Sequence, residues 1–463
     1  MASPSSKSKW AVRAGVVLVA CLLAVSIKLS LHSPSADNKV AQINAAFADT
    51  EKPSSKPVIP PEQLYHKAWA MIQDMFYEKK FNNQDWDRWH HRYDSKLKTQ
   101  DDAHKAIETM IASLGDPYTR FLSKESFDEE KDQIAAHLYG VGMQLGMNKE
   151  HKVVVIAPIQ DTPAYKAGIH PGDEIIEVDH KPVKGQSLDQ VVKQIRGLPG
   201  TAVAITIMRG TERKTSSMTR AEVPIKAVAN AEMLPNNIGY IRLDSFISHK
   251  ANDEMRDALK KETGAKGIIL DLRNNPGGLL ANAIEISNMF LDHGIIVSTV
   301  DADGYKNSTV SSHHPITGLP MVILINGGSA SASEILSGAL HDNHRATLVG
   351  QKSFGKGLVQ SINKMEDGSG INITIAKYLT PNDTDINKTG IAPDYLVEVK
   401  EDDMKAGKGP WWIDPTYTNF KRTPNDGKDV QLSKAIDVLK AEIANASTVA
   451  NNKNNAAATT QSP

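Results

Sequence analysis

Two glycine-rich segments in the second half of the chain contain residue types suited to nucleophilic chemistry. The first is 274–278, Asn-Asn-Pro-Gly-Gly, directly after an apolar run, and the second is 326–334, Asn-Gly-Gly-Ser-Ala-Ser-Ala-Ser-Glu, between an apolar run and a helical pattern. Glycine allows a sharp turn and leaves backbone N–H groups free to face a ligand. Small residues that lead into a helix suit a nucleophile, because the helix dipole favours developing negative charge. Each segment alone is also compatible with a plain strand–helix turn.

Lys356 lies between two glycines and is the candidate base for such a nucleophile. A lysine in this setting is atypical of a solvated surface. If desolvation lowers its pKa below about 10.4, it can take the proton of a serine hydroxyl. Gln360 follows four residues later, so on a strand its side chain points to the same face as that of Lys356. The Gly-x-Ser-x-Gly pattern is absent, because Ser331 stands where the second glycine would follow Ser329.

Composition narrows the class of protein. The chain has 463 residues, 40% hydrophobic and 23% charged, so a folded protein of about three domains is expected. Lys plus Arg number 53 and Asp plus Glu 54, a net charge of -1, which argues against a dedicated nucleic-acid binder. The single cysteine, Cys21, excludes disulfide frameworks, cysteine zinc sites and a cysteine nucleophile in the rest of the chain.

The N-terminus has the pattern of an export signal. Basic residues precede an apolar stretch at 14–27, which is short for a spanning helix of about 20 residues. We therefore predict that 1–31 is a signal peptide or a membrane anchor. The protein is then exported to the periplasm, attached to or facing the inner membrane. Residues 32–61 are polar and rich in Ser, Pro and Lys, which predicts a linker.

Hydrophobic periodicity divides the rest of the chain into five parts. Apolar residues at three- and four-residue intervals predict an N-terminal helical segment at 62–136. Short apolar runs bounded by Gly and Pro predict a β-rich module at 137–221. Alternating strands and helices predict an α/β core at 222–400, with sites at the carboxyl ends of strands. A C-terminal segment covers 401–445, and the Ala- and Asn-rich residues 446–463 are expected to be a disordered tail.

An ordered set of short motifs resembles the carboxyl-terminal processing peptidases, the tail-specific serine proteases with a Ser–Lys dyad. The matching segments lie at 113–119, 139–143, 163–173, 271–278, 328–334, 354–357 and 390–394. The resemblance spans roughly 62–400. It implies a crotonase-like ββα protease core with an inserted PDZ-like domain at 137–221 and the N-terminal helical segment, together an α/β multidomain fold.

The resemblance also implies roles for individual residues. Ser331 is the nucleophile, Lys356 the general base and Gln360 the residue that orients the lysine amine, at the family's spacings of 25 and 4. The oxyanion hole uses the backbone amides of Ala332 and of either Gly277 or Gly278.

The loop Gly140-Val141-Gly142-Met143 resembles the PDZ loop whose amides hold a terminal carboxylate. The expected partners are protein or peptide substrates with free C-termini. A homo-oligomer and an adaptor protein remain open. No nucleic acid, no cofactor and no metal is expected.

Other readings of the same residues are weaker. The segment before Gly357 lacks the Ser or Thr of a P-loop. Ser353 and Lys356 have the Ser-x-x-Lys spacing of penicillin-binding acyltransferases, although Gly355 disfavours the helix that this motif needs. The group at 341–344 and the doublets at 90–91 and 313–314 could bind metal. They are interpreted as solvated or capping histidines, since no His-Glu-x-x-His motif is present. A catalytically silent PDZ scaffold or adaptor is the alternative from a different class.

Overall fold

The computed structural model describes residues 59–134, 137–148, 150–159, 162–224, 226–413 and 422–459. They form two compact units, one drawn from 137–225 and 401–426 and the other from the remaining described residues. The predicted export segment at 1–31 and nearly all of the predicted linker lie outside these ranges. No helix within the described ranges is both long and apolar enough to cross a membrane.

The N-terminal segment is helical, as predicted. Its elements are α1 (Pro61–Met75), a 3-10 turn (Phe81–Asn83), α2 (Trp86–His90), α3 (Gln100–Ser113), β1 (Arg120–Leu122) and α4 (Lys124–Ile134). Proline occupies the first position of α1, where a backbone N–H has no helical partner in any case. Thr99 and Asp102 form a capping box at the start of α3. Apolar side chains of α1 and α3 pack together and against Ile371 and Ile373.

Within the β-rich unit, residues 137–224 form a six-stranded antiparallel sheet, a separate pair of strands and two short helices. Its elements are β2 (His137–Gly140), β3 (Met143–Met147), β4 (Val153–Pro158), α5 (Pro163–Lys166), β5 (Glu174–Val178), β6 (Lys181–Pro182), α6 (Leu188–Ile195), β7 (Ala202–Arg209), β8 (Glu212–Thr219) and β9 (Ala221–Pro224). The strand order is β3-β4-β5-β7-β8, so β3 lies at an edge, and α6 contacts it. Apolar residues from both faces form a separate core.

The α/β core alternates strands and helices. It contains β10 (Val228–Leu234), β11 (Ile238–Leu243), α7 (Ala251–Lys261), β12 (Gly267–Asp271), α8 (Leu280–Asn288), β13 (Ile295–Asp301), β14 (Lys306–Val310), β15 (Met321–Ile325), α9 (Ala332–Asp342), β16 (Thr347–Gly350), β17 (Leu358–Lys364) and β18 (Gly370–Leu379). A short strand, β19 (Tyr395–Leu396), follows.

Two sheets position the candidate site. One has the order β10-β11-β12-β15-β16-β19, parallel from β11 onward. In the other, β18 pairs antiparallel with β17, β13 and β1, which joins the helical segment to the core. The predicted α/β multidomain fold, with an inserted β-rich domain and an N-terminal helical segment, is confirmed.

The C-terminal part differs from the sequence-based expectation. It contains α10 (Glu401–Lys405) and α11 (Val430–Thr459), and α11 continues through residues predicted to be a disordered tail. Its first turns bury Leu432, Ala435 and Leu439, and Leu439 lies where a side chain at Gly267 would stand. Residues 444–448 are exposed. The expectation of a disordered tail rested on the lack of core-forming residues. Alanine favours helix even without burial.

Arg273, fully buried just after β12, ties α11 to the core. Its guanidinium donates to both carboxylate oxygens of Asp429, at 2.9 and 2.8 Å, and to Gln431 at 3.0 Å. It also donates to Asp271 at 2.6 Å, and Asp271 accepts the hydroxyl of Tyr240 at 2.8 Å. A buried charge is tolerated when it is fully paired in this way.

We expect Arg273→Met to destabilise the core by about 3–5 kcal/mol, because it leaves buried carboxylates without their cation. Urea denaturation followed by far-UV circular dichroism measures the change. The control is Lys260→Met, which breaks an exposed pair with Asp257 and should cost less than about 1 kcal/mol. Equal losses for the two variants would contradict this account of Arg273.

Candidate active site

The two glycine-rich segments meet at the carboxyl edge of the parallel sheet. They follow β12 and β15, which are adjacent strands. The carbonyl oxygen of Asn275 accepts hydrogen bonds from the Ala330 amide at 3.0 Å and from the Ser333 hydroxyl at 2.8 Å. Asn274 and Asn326 are joined by reciprocal bonds of 2.9 Å. Adjacent parallel strands end at the same edge, and these bonds fix the two turns to each other there.

Ser331 has a strained backbone at the start of α9. Its φ is 54° and its ψ is -114°, a region that a residue with a side chain rarely adopts. Such strain is kept when the surrounding structure enforces it, and it is typical of a nucleophile on a sharp strand-to-helix turn. A Cβ atom on Gly277 would lie 2.6 Å from the Ala330 oxygen and 2.9 Å from Ser331 Cβ, so glycine is needed at this approach. Ser331 therefore stands on a sharp, strained turn that a nucleophile could use, although the Gly-x-Ser-x-Gly pattern is missing.

Glu334, in the first turn of α9, holds the backbones of Ser331 and Lys356. Its Oε2 accepts the Ser331 and Lys356 amides, both at 2.9 Å. Its Oε1 accepts the Ser353 hydroxyl at 2.5 Å and the Gly355 amide at 2.7 Å. Burial raises the pKa of Glu334, and these four hydrogen bonds oppose the rise. One fully buried carboxylate thus fixes the nucleophile turn against the lysine loop.

Tyr378, on β18, makes a second bridge between the same residues. Its buried hydroxyl donates to the carbonyl of Lys356 and lies 3.2 Å from the carbonyl of Ser331. The main chains of Ser331 and Lys356 therefore share the Glu334 carboxylate as acceptor and the Tyr378 hydroxyl as donor. These contacts bring together two residues that are 25 apart in sequence.

Lys356 is fully buried, and its Nζ has no hydrogen-bond partner among the described residues. The amine lies 4.6 Å from the centroid of the Tyr118 ring, which comes from the N-terminal segment. Burial lowers the pKa of Lys356 from 10.5 to about 7, and the nearby positive charge of Arg120 lowers it further. Asp116 and other carboxylates act in the opposite direction without restoring the usual value. The neutral amine needed in a general base is thus well populated near neutral pH.

Gln360 is buried on β17, but it makes no hydrogen bond to Lys356 in the part of the chain that is described. Its amide donates weakly, at 3.5 Å, to the Thr374 hydroxyl. Thr374 in turn donates to Asp116 at 2.5 Å. The role of Gln360 in orienting the amine stays a prediction.

The backbone amides of Gly277, Gly278 and Ala332 are the candidates for an oxyanion hole, and they differ in their hydrogen-bond partners. The Gly277 amide donates to the Asn275 side chain at 2.9 Å. The amides of Gly278 and Ala332 donate to no acceptor within the described ranges. Which of the two glycines completes the oxyanion hole with Ala332 stays a prediction.

The loop 140–143 in the β-rich unit turns sharply at Gly142. Gly142 has a φ of 77°, and a Cβ there would lie 2.3 Å from the Thr162 side chain. The carbonyl of Val141 accepts from Ala164 at 2.7 Å, which fixes the loop. The amides of Val141 and Gly142 donate to no acceptor among the described residues, and Met143 begins the edge strand β3.

The rival motifs are explained by structural contacts. Ser353 lies outside any helix, and its hydroxyl is bonded to Glu334 at 2.5 Å and to the Ile391 amide at 2.7 Å. It therefore lacks the setting of a Ser-x-x-Lys nucleophile. His341 bridges Asp342 and Asp394, at 3.0 and 3.2 Å, at the end of α9, and the bond to Asp342 raises its pKa.

Three residues of the site were given no role by sequence reasoning. Glu334 and Tyr118 stand inside the matching motifs, and the order of those motifs was the only signal for them. Tyr378 follows an ordinary strand pattern, with nothing to separate it from a core tyrosine.

Comparison with known proteins identifies the family of this chain. The family model described as Peptidase family S41 matches 237–397, that of the PDZ domain matches 140–219, and that of the Tricorn protease C1 domain matches 60–110. The chain is 39% identical over 355 residues to a carboxyl-terminal-processing protease of Synechocystis sp., covering 75% of this chain and 83% of that relative. It is 35% identical over 364 residues to the chloroplastic carboxyl-terminal-processing peptidase 2 of Arabidopsis thaliana, with shares of 75% and 70%.

Among solved structures, the photosystem II D1 C-terminal processing protease aligns with a TM-score of 0.53 at 32% identity, covering 75% of this chain and 96% of that chain. Fold and site together define a serine-type peptidase with a PDZ domain. The chain belongs to the carboxyl-terminal-processing protease family, which confirms the resemblance noted from the motifs.

Proposed function

We propose that this peptidase is a Ser–Lys dyad endopeptidase that cleaves or degrades exported proteins from their C-terminal side. The observation that carries the proposal is the fully buried Lys356, whose amine has a pKa lowered to about 7 and whose backbone shares Glu334 and Tyr378 with Ser331. No other lysine in the described ranges combines full burial with such a shift.

The proposed reaction follows from these positions. The neutral amine of Lys356 takes the proton of Ser331 as the hydroxyl attacks the scissile carbonyl. The amides of Ala332 and Gly278 stabilise the negative charge that develops on the carbonyl oxygen. The protonated lysine then gives its proton to the leaving amine, and water hydrolyses the acyl-enzyme by the same base.

We expect kcat/KM to rise with pH and to reach half its plateau near pH 7, because the base is active only when deprotonated. Below that point the rate should fall about tenfold per pH unit. Cleavage of one fluorogenic peptide between pH 5 and 9 measures the profile. His341→Gln and His344→Gln should keep most of the activity and the same midpoint. A midpoint that moves with either histidine would assign the titration to that residue instead.

We further propose that the PDZ domain reads the substrate C-terminus. The two unpaired amides at Val141 and Gly142 suit a carboxylate. The exposed edge of β3 suits an added peptide strand, with Met143 and Leu145, which pack against the domain core, helping to line an apolar pocket. Both features support recognition of peptides that end in a free carboxylate after apolar residues.

Two peptides that differ only in a C-terminal acid or amide test this recognition. A charge-assisted hydrogen bond contributes about 1.5–3 kcal/mol, so amidation should weaken binding by about tenfold or more. Binding is measured by fluorescence anisotropy on Ser331→Ala, and cleavage on the wild type. Equal binding and equal cleavage would reject C-terminal recognition and leave the dyad untouched.

Export to the periplasm is part of the proposal and rests on the basic and apolar pattern of 1–31. Cell fractionation of the full chain, compared with a chain that lacks these residues, tests it. A homo-oligomer and an adaptor protein are proposed as further partners, to be tested by light scattering and by pull-down with Ser331→Ala.

A further inference from the structure

A second cluster of ionisable side chains lies in the N-terminal helical segment, in elements other than those that form the candidate active site. Glu62 and His66 are four residues apart on α1 and so project from one face of the helix. Asp94 lies in the turn that follows α2. One oxygen or nitrogen from each of the three lies within 4.8 Å of the others. The chain folds two distant segments so that two carboxylates and an imidazole converge.

No hydrogen bond within the described ranges satisfies His66. Its Nδ1, which is not the nitrogen that faces Asp94, is buried without a partner. Its Nε2 lies 3.9 Å from Asp94 Oδ1, too far for a hydrogen bond. Metal–ligand bonds of about 2.1 Å place two neighbouring ligand atoms of a tetrahedral ion roughly 3.4 Å apart. The distance from His66 Nε2 to Asp94 Oδ1 is closer to this value than to the length of a hydrogen bond.

The carboxylates of the cluster are held by neighbouring groups. Oε1 of Glu62 accepts the Ser95 amide at 2.6 Å. Nδ1 of His91 lies 3.0 Å from Asp94 Oδ2, and Nδ1 of His90 lies 3.2 Å from Nε2 of His91. With one proton on Nδ1 of each imidazole, His91 donates to Asp94 and His90 donates to His91. Carboxylate ligands of metal ions are commonly oriented by such outer hydrogen bonds.

We propose that Glu62, His66 and Asp94 bind one Zn²⁺ ion, with water in the fourth position. The imidazole favours Zn²⁺ over Mg²⁺ and Ca²⁺, which prefer oxygen ligands alone. A surface cavity of about 590 Å³, lined in part by Glu62, His66 and His90, gives an ion access. The ion joins the start of α1 to the turn after α2. Its role is to stabilise this segment, which supplies Tyr118 to the active site.

The sequence shows no motif for this site. The ligands are separated by 4 and 28 residues and lack the spacing of known zinc motifs, which is why no metal was expected. Only the packing of α1 on the turn after α2 brings them together.

Metal-depleted full-length protein, titrated with ZnCl₂ by isothermal titration calorimetry, tests the site. We expect one ion per chain and a rise in the thermal unfolding midpoint on saturation. His66→Gln, Asp94→Asn and Glu62→Gln should each weaken Zn²⁺ binding at least about tenfold and reduce the rise. These readouts do not depend on peptidase activity.

The matched control is His293→Gln, which alters an exposed histidine beside Asp292 and should bind Zn²⁺ as the wild type does. Thermal midpoints of the metal-free variants show whether each is folded. Folded ligand variants that bind Zn²⁺ like the wild type, no binding by the wild type, or binding of Ca²⁺ in preference to Zn²⁺ would each overturn the proposal.

Discussion

Ser331→Ala and Lys356→Ala should each abolish peptide cleavage, with a loss of at least about 10³-fold in kcat. Nucleophile and base act as one unit, so the double variant should be no worse than either single one. Lys356→Arg should fail as completely, because a guanidinium stays protonated at any working pH and cannot act as a base. Initial rates with one peptide substrate, at pH 8 and at equal enzyme concentration, measure all four variants.

The control is Lys352→Ala, which removes an exposed lysine from the same loop and should leave the rate within about twofold, as surface changes usually do. Circular dichroism verifies that each variant is folded. Near-normal turnover by Lys356→Arg would reject the dyad.

Glu334→Gln should lower kcat by about 10²-fold and leave KM nearly unchanged, because the residue positions the catalytic pair without touching the substrate. The glutamine side chain keeps one acceptor oxygen. Its NH₂ group, however, faces backbone N–H groups that donate to the Glu334 carboxylate in the wild type. The negative charge of Glu334 also raises the pKa of Lys356, so its removal should move the pH midpoint of cleavage lower. Steady-state kinetics across pH measure both effects.

Glu254→Gln is the matched control for this variant. Glu254 also accepts two backbone amides, those of Ala227 and Val228, at 2.8 and 3.0 Å, at the start of β10. We expect it to lower stability without a shift of the pH midpoint. If Glu334→Gln keeps the wild-type midpoint and rate, Glu334 does not position the pair.

The local spacing of apolar residues was sufficient to predict most helices and strands of the fold. The spacing of apolar residues predicted the N-terminal helical segment, the β-rich module and the strand–helix alternation of the α/β core, because each depends on residues close in sequence. The same reasoning failed at 446–459, the last part of α11, where helix propensity acts without a local core signal.

The sequence was also sufficient to name the candidate chemistry. Ser331 and Lys356 stand in motifs with a fixed order and spacing, and a lysine between two glycines already indicates an unusual environment. It could not supply the burial that lowers the lysine pKa to about 7, since that depends on Tyr118, Arg120 and other groups far away along the chain.

Only the folded chain showed the bridges that Glu334 and Tyr378 make between Ser331 and Lys356. The same holds for the cluster of Glu62, His66 and Asp94. The physical reason is the same in each case. Hydrogen bonds, desolvation and metal geometry depend on distances of a few ångströms between residues that packing, and not sequence proximity, brings together.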